Sequence, residues 1–517
     1  MAAQLPVPFF NAVADIYPAN TVPREGARWA ALASQFETAY GAPPTAVARA
    51  PGRVNILGEH VDYSLFPVLP AAIEQDIIIA LRPTSSSERK CRLANVLPSF
   101  KPCEFTLTHS AEKGWDAGLI PPKEGGGWEN YVKVAILECL ARYFPDGPGE
   151  KAPVGLDLLV SGNSSAAFVV SSVLMFLVAN GLTEGITKGD VVKMAIASEH
   201  RMGLRTGGMD QSASALGEES SLLHISFHPT LEATPVRLPA SLAVVITNSL
   251  APHALADSAP ERYNLRVVEV LVASRLLLHA WGIDAPRMTK AGEEGRIWLK
   301  EALDLWAQSG SEVEVYERAL KALPAVLGKD GRGERGWTRE EMIEASGMSE
   351  EAFTKTYLDF VPTRASHYHL LKRAEHTFAE SLRVARFKEL CADIAANPAA
   401  GPASADPRTA ELGTLLDGSH DSLRDLFDCT VPEVEHLRDL CLKHGSLGSR
   451  QTGGGWGGAV ISLLPVDQVP DFLAKVKAEF PSYAKLNAEE LDEAAFATMP
   501  GVGAGVYIVD APVANGH

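Results

Sequence analysis

Arg53, Glu59, His60 and Asp62 fall within twelve consecutive residues, GRVNILGEHVDY, from Gly52 to Tyr63. A guanidinium, two carboxylates and an imidazole make a poor core and a good lining for a polyhydroxylated ligand. Carboxylates and imidazole accept from and donate to hydroxyls, and Arg53 adds a fixed charge with a planar fork of donors. A solvated loop is the plain alternative. A second cluster runs Ala197-Ser198-Glu199-His200 and then Gly207-Gly208-Met209-Asp210-Gln211. Glu199 falls near the end of an expected helix. Asp210 follows a glycine pair, which lets backbone approach a ligand closely. A helix end plus a loop can bring both carboxylates to one place; two exposed acids are the alternative.

Two further stretches bear on the backbone. Gly448 to Gly458 (GSRQTGGGWGG) places five glycines in the six residues 453–458. Ordering so many is costly unless the chain must pass close to something. An apolar strand resumes at once from Ala459 to Pro465, which favours a packed turn over a flexible linker. Ser161-Gly162-Asn163-Ser164-Ser165-Ala166-Ala167-Phe168 joins a strand to a helix, and its serines can cap that helix.

The elements that must position these groups follow from periodicity. Residues Thr45 to Ala50 read as a strand delivering an Arg53 loop, and Val68 to Leu81 as another, with Glu74 and Asp76 inside it. Trp128 to Tyr143 has helical spacing, Ala152 to Val160 reads as a strand, and Ser164 to Asn180 as a helix buried on most sides. Asp190 to Arg201 reads as a helix with Asp190 at its N-cap. Val244 to Thr247 is a short strand and Tyr263 to Trp281 a long helix. A domain boundary is expected near Ala240 to Asn248. Gly328 to Gly336 and Ala395 to Pro407 read as mobile surface loops. Strands and helices without strict alternation indicate α+β layers.

Bulk properties narrow the classes. At 517 residues the chain can hold two or more domains. The formal charge of −17 and the pI near 5.3 disfavour nucleic acid and anionic membrane as partners. Six cysteines lack CxxC or metal-site spacing, as expected of reduced thiols in a cytoplasmic protein. The opening MAAQLPVPFF lacks the pattern of a signal peptide, and the most apolar stretch, Ala166 to Ala179, is too short to span a bilayer.

The Gly52–Tyr63 stretch resembles the sugar-binding signature of galactokinases, Gly-Arg-x-Asn-x-Ile-Gly-Glu-His-x-Asp-Tyr, with Leu57 in place of one Ile. The Gly448–Gly458 run is similar to the third signature of the same group, within the superfamily of galactose, homoserine, mevalonate and phosphomevalonate kinases. The similarity runs from about Tyr40 to Val509 and includes Ser419 to Cys429. Glu74-Gln75-Asp76 and the Gly-Trp-Gly-Gly ending stand closer to the N-acetylgalactosamine kinase branch and to fungal-type galactokinases than to the short bacterial form.

The resemblance implies an α+β, two-domain GHMP kinase fold: an N-terminal α+β domain over 1–245 and a C-terminal ferredoxin-like α+β domain over 246–517. Insertions fall near 328–350 and 395–408, and the active site lies in the cleft. It implies phosphorylation of galactose at the 1-hydroxyl, using ATP and Mg²⁺. Carried over residue by residue, Arg53, Glu59, His60, Asp62, Gly207, Asp210 and Tyr263 line the sugar site, with Arg53 and Asp210 the catalytic pair. Glu199 with Ser164 or Ser165 would hold Mg²⁺. Gly162, Asn163, Ser164, Ser165 and Ala166 would meet the phosphates. Trp128 would lie near the adenine or serve as a core aromatic.

One departure stands out. The superfamily carries a Pro-x-Gly-x-Gly-Leu-Ser-Ser-Ser-Ala loop whose N–H groups hold the ATP phosphates. Only a Ser-Ser-Ala-Ala ending is present here, and the connection is about eight residues shorter than the family pattern. Three readings stay open: a galactokinase, a non-catalytic galactose sensor that associates with a repressor, and a kinase whose coding segment was mis-joined at this loop. N-acetylgalactosamine is the alternative sugar.

Overall fold

The structure, a computed structural model, describes residues 2–120, 127–149, 152–162, 164–202, 207–251, 258–283, 295–398 and 406–509, with only the backbone of Ser165. In chain order the N-terminal half runs Phe9–Phe10 (β1), Val22–Tyr40 (α1), Ala46–Leu57 (β2), Leu69–Pro83 (β3), Lys90–Asn95 (β4), Cys103–Thr106 (β5), Thr108–Ser110 (β6) and Gly114–Asp116 (β7). It continues through Glu129–Tyr143 (α2), Leu156–Ser161 (β8), Ser165–Ala179 (α3), Lys188–Arg201 (α4), Met209–Leu216 (α5), Ser221–Ser226 (β9), Glu232–Arg237 (β10) and Leu242–Asn248 (β11). The rest includes helices Tyr263–Ala280 (α6), Leu299–Ala307 (α7), Glu312–Leu327 (α8), Leu370–Ala396 (α9) and Pro407–Asp425 (α10). Strands Gly448–Thr452 (β12), Ala459–Pro465 (β13), Ala495–Thr498 (β14) and Gly505–Ile508 (β15) complete the sheets.

Seven strands form one sheet in the order β1-β15-β2-β3-β8-β4-β5, and four form another in the order β12-β13-β11-β14. Period-two alternation explains how the first sheet is covered on both faces. Ala46, Ala48 and Ala50 of β2 and Ile77, Ile79 and Leu81 of β3 face the large core with α2, α3 and α6. Val47, Ile78 and Ala80 face α1, where Trp29, Leu32 and Phe36 pack on them. The second sheet behaves likewise. Val244, Ile246 and Ile461 meet Val54, Ile56 and Phe387 between the sheets, and Val245, Val460 and Leu464 face outward onto other apolar residues. The expected 245/246 division falls inside β11, and β15 returns to pair antiparallel with β2 of the first sheet.

Several local expectations change. Arg53 is not on a loop: β2 continues through it to Leu57, with register shifts at Pro51/Arg53 and Asn55/Leu57 that re-aim the strand. Pairing with β3 satisfies the backbone that a loop would leave to water. The helix before Glu199 is capped by Thr187, not Asp190. Asp190 is the third helical residue, and its N–H donates to Thr187 Oγ1 at 3.1 Å while its carboxylate accepts from the Thr187 N–H. The Gly328–Gly336 stretch is ordered: Lys329–Gly331 and Arg332–Arg335 are short helical turns, and Arg332 stacks over buried Trp337 at 4.7 Å. Its arginines pair with Glu341, which anchors charges that would otherwise solvate a loop. Of Ala395–Pro407, residues 399–405 lie outside the described residues, and Pro407 opens α10.

Asp76 carries a network that ties α1 to the sheet. Its buried carboxylate accepts from Arg49 Nε at 2.5 Å, from Tyr17 Oη at 2.6 Å and from Arg28. Burial would raise its pKa, but Arg49 and Arg28 outweigh burial and lower it. Its stabilising effect therefore holds above its unfolded pKa and is lost only in strong acid. Asp76→Ala strands a fully buried guanidinium. We expect it to cost about 3–5 kcal/mol, read as a lower denaturant midpoint.

Candidate functional site

Arg53, on the second half of β2, meets Asp210, in the first turn of α5. Arg53 Nε and Nη2 donate to the two Asp210 oxygens at 2.5 and 2.6 Å, a bidentate pair. Both side chains remain partly exposed, at 24% and 29%, so the pair faces open space. Burial works against the Arg53 charge, but Asp210 outweighs it and raises the Arg53 pKa. Two glycines make the approach possible. Gly208 caps α5 at φ 106°, and a Cβ there would lie 2.4 Å from the Ile196 side chain. A Cβ on Gly207 would lie 2.2 Å from the Tyr63 nitrogen, so α5 starts directly on the Asp62–Tyr63 turn.

A cavity of about 780 Å³ opens beside the pair. Glu59, His60, Asp62, Glu199 and Tyr263 line it with Arg53 and Asp210. Gly207 does not; it packs on the back of the same wall, and Gly208 takes its place at the cavity. Burial, and then the Asp210 charge, push the Asp62 carboxyl up to about 7, while the Met209 N–H donates to it at 3.2 Å. His60 stays neutral because burial, with His376 nearby, holds it down to about 3. Its ring sits among Tyr263, Phe427 and Trp456, and its Nε2 is buried with no partner among the described residues. Burial, with Asp62 adding to it, keeps the Tyr263 phenol protonated and able to donate.

Glu59 ties the wall to the glycine-rich turn. It accepts from Arg450 Nη2 at 2.7 Å and from the Gly453 N–H at 3.2 Å. Burial raises its pKa, against the pull of Arg450 and Arg53. Arg450 is fully buried and also donates to the Asn55 and Ile56 carbonyls at 2.9 Å. The turn itself has positive φ at Gly453, Gly455, Trp456, Gly457 and Gly458, and four of its glycines line the cavity. It is the packed turn that its sequence predicts.

On the other side of the pair, a small cavity of about 30 Å³ is lined by Arg53, Asp210, Ser164 and Ala166. Ser164 is the N-cap residue of α3, so the helix start opens toward the Arg53–Asp210 pair. Gly162, at φ 121°, turns the chain out of β8; a Cβ there would strike the Asp76 carbonyl at 2.9 Å. Asn163 and the Ser165 side chain lie outside the described residues. Trp128 stands edge-on to Phe100 and Phe168 at 5.5 and 5.8 Å, packed on the core.

Sequence reasoning missed the far wall. Ile246 and Asn248 of β11, Phe496 of β14, Thr452 and Gln211 also line the large cavity. An apolar strand residue carries no functional signal until its neighbours are known. It also missed Glu380, buried on α9, which accepts from the Gly58 N–H at 2.9 Å, and His376, which contacts the Glu59 carbonyl at 3.1 Å.

The family model described as Galactokinase galactose-binding signature matches residues 34–83, and GHMP kinases C terminal matches 402–482. A Candida parapsilosis galactokinase is 32% identical over 93% of this chain and 95% of that protein. Saccharomyces cerevisiae galactokinase is 30% identical over 97% and 98%. Lactococcus lactis galactokinase, crystallised with galactose, shares the fold with a TM-score of 0.63 at 22% identity, over 92% of this chain and 99% of that one.

Proposed function

The chain belongs to the galactokinase family, and on that premise we propose that it transfers the γ-phosphoryl group of ATP to the 1-hydroxyl of galactose at the Arg53–Asp210 pair. The observation that carries the reading is that bidentate pair, half-open to a cavity able to hold a hexose. Asp210 accepts, or orients, the proton of the sugar hydroxyl. Arg53 fixes the carboxylate in one plane and offsets charge building on the attacking oxygen. Phosphoryl transfer mostly needs alignment and charge neutralisation, which suits a site with no covalent nucleophile.

Around the sugar, Glu59, His60, Asp62 and Tyr263 offer a mixed set of donors and acceptors to the ring hydroxyls. Glu199 and Ser164 offer hard oxygens on two sides of the Arg53–Asp210 pair and would hold Mg²⁺, which supplies charge neutralisation at the phosphates when bound and keeps several waters. The two halves are read as an N-terminal domain to residue 245 and a C-terminal domain beyond it. All six cysteines are free thiols, five of them buried, and none of the described helices is long and apolar enough to cross a membrane. A cytoplasmic enzyme fits both.

ADP release should depend on galactose, and a parallel assay with N-acetylgalactosamine fixes the preferred sugar. Saturable galactose binding with no ADP release in any form of the chain, including one whose β8–α3 connection is lengthened to the family pattern, would sink the reading.

The Asp62 carboxyl gives a pH signature. Its folded pKa of about 7 lies above the unfolded 3.8, so the native state holds the extra proton between those values and stability should fall as pH rises through them. A sugar hydroxyl that donates to Asp62 favours the ionised form. Galactose affinity should therefore rise with pH below 7, by up to about tenfold per unit, with proton release on binding. Calorimetry in buffers of different ionisation heat reads both. Asp62→Asn should flatten the profile; an unchanged slope would remove Asp62 from the sugar contacts.

A further inference from the structure

A second cavity, of about 500 Å³, lies against the other side of the Asp62–Tyr63 turn. Asp62 lines both cavities. The walls of the second come from α4, from the turn between β9 and β10, from the residues leading into α7 and from Phe360. Three rings, Phe227, Trp298 and Phe360, with Ile196 and Leu231, give it an apolar body. Its volume falls in the range of small-molecule sites.

The polar groups are unevenly charged. Arg296 stacks over the Phe360 ring at 4.9 Å, and its Nη1 donates to the Thr356 carbonyl at 3.3 Å. Its Nε is buried without a partner, and no carboxylate pairs with it among the described residues. Lys193 adds a second cation to the lining. The acids are largely spent. Asp190 is engaged by Thr187 and stands 3.7 Å from Arg142, and the Asp62 carboxyl, pushed up to about 7, carries only part of a charge at neutral pH.

The cavity also touches the catalytic helix. Ile196 would be struck by any Cβ on Gly208, the cap of α5, and Gly207 itself is part of the lining. A ligand seated there presses on groups packed directly against the start of α5, two residues from Asp210.

We propose that this cavity is a second ligand site for a small planar organic anion, held by the rings and Arg296, and that its occupancy alters galactose binding across the shared Asp62 wall. The coupling part rests on the galactose reading. The binding part does not.

Titration of the full-length chain with 1-anilinonaphthalene-8-sulfonate tests it. One saturable site per chain is expected. Phenyl phosphate should displace the probe, and benzyl alcohol at the same concentration should not. Arg296→Met should weaken the probe at least tenfold, and Leu231→Trp, which fills the cavity, should abolish its binding, while Asp210→Asn leaves it unchanged. Equal displacement by benzyl alcohol, or normal binding in both cavity variants, overturns the site. Saturating phenyl phosphate should shift the galactose dissociation constant at least threefold, and by linkage galactose should shift that of the probe by the same factor. Unshifted constants overturn the coupling. Because the probe titration needs no sugar, it stands whether or not galactose is the substrate.

Discussion

Asp210→Asn is expected to lower galactose-dependent ADP formation by about 10²–10⁴-fold while galactose still binds. The substitution keeps shape and one acceptor oxygen. It removes the charge that draws the hydroxyl proton, and it leaves Arg53 facing an amide where it had held a carboxylate through two bonds of 2.5 and 2.6 Å. A thousandfold loss corresponds to about 4 kcal/mol of transition-state stabilisation. The loss should fall on kcat, since the lost interaction matters mainly when charge moves. Steady-state ADP release, with galactose binding followed by calorimetry, separates the two effects. Retained turnover would remove Asp210 from the mechanism.

The second large effect concerns the connection from β8 to α3. Three residues, Gly162 to Ser164, join the strand end at Ser161 to the helix start at Ser165. The superfamily resemblance implies a longer glycine-rich loop there, whose N–H groups would surround the phosphates. Each charge-assisted bond to phosphate contributes about 1.5–3 kcal/mol before compensation. Losing several costs orders of magnitude in rate. Replacing Gly162–Ser164 by a Pro-x-Gly-x-Gly-Leu-Ser-Ser loop is therefore expected to raise kcat/KM for ATP by at least about 100-fold, with little change in galactose affinity. The proposed sugar contacts come from Arg53 on β2, from residues 59–62 that follow it, from Asp210 on α5 and from Tyr263 on α6, none of which the insertion replaces. Equal kcat/KM for ATP in the two forms would show that the short connection already holds ATP in full.

The contrast between the cavity lining and the β8–α3 connection also shows what the sequence could reveal. Arg53, Glu59, His60, Asp62 and Asp210 were legible because chemistry-bearing residues were concentrated in two short stretches. The packed glycine turn was legible because a strand followed it without a break. Gly207, which the resemblance puts at the sugar, packs against the Asp62–Tyr63 backbone, next to the cavity-lining Gly208. The distinction is set by which glycine faces Ile196 and which faces Tyr63, and neither neighbour is close in sequence. The sequence makes Asp190 look like the cap because helix-start residues resemble one another. Only the side-chain geometry shows Thr187 capping while Asp190 answers it.

By itself, the sequence determined the residue types gathered around Arg53 and Asp210, the α+β character and the shortness of the connection before α3, since these depend on local composition and spacing. Tertiary structure alone decided that Arg450 would neutralise Glu59 across the chain, that Ile246 and Phe496 would close the cavity, and that Glu380 and His376 would brace the signature from behind. The reason is physical: a buried charge must find a partner wherever the fold supplies one, and an apolar wall acquires meaning only from what is packed opposite it.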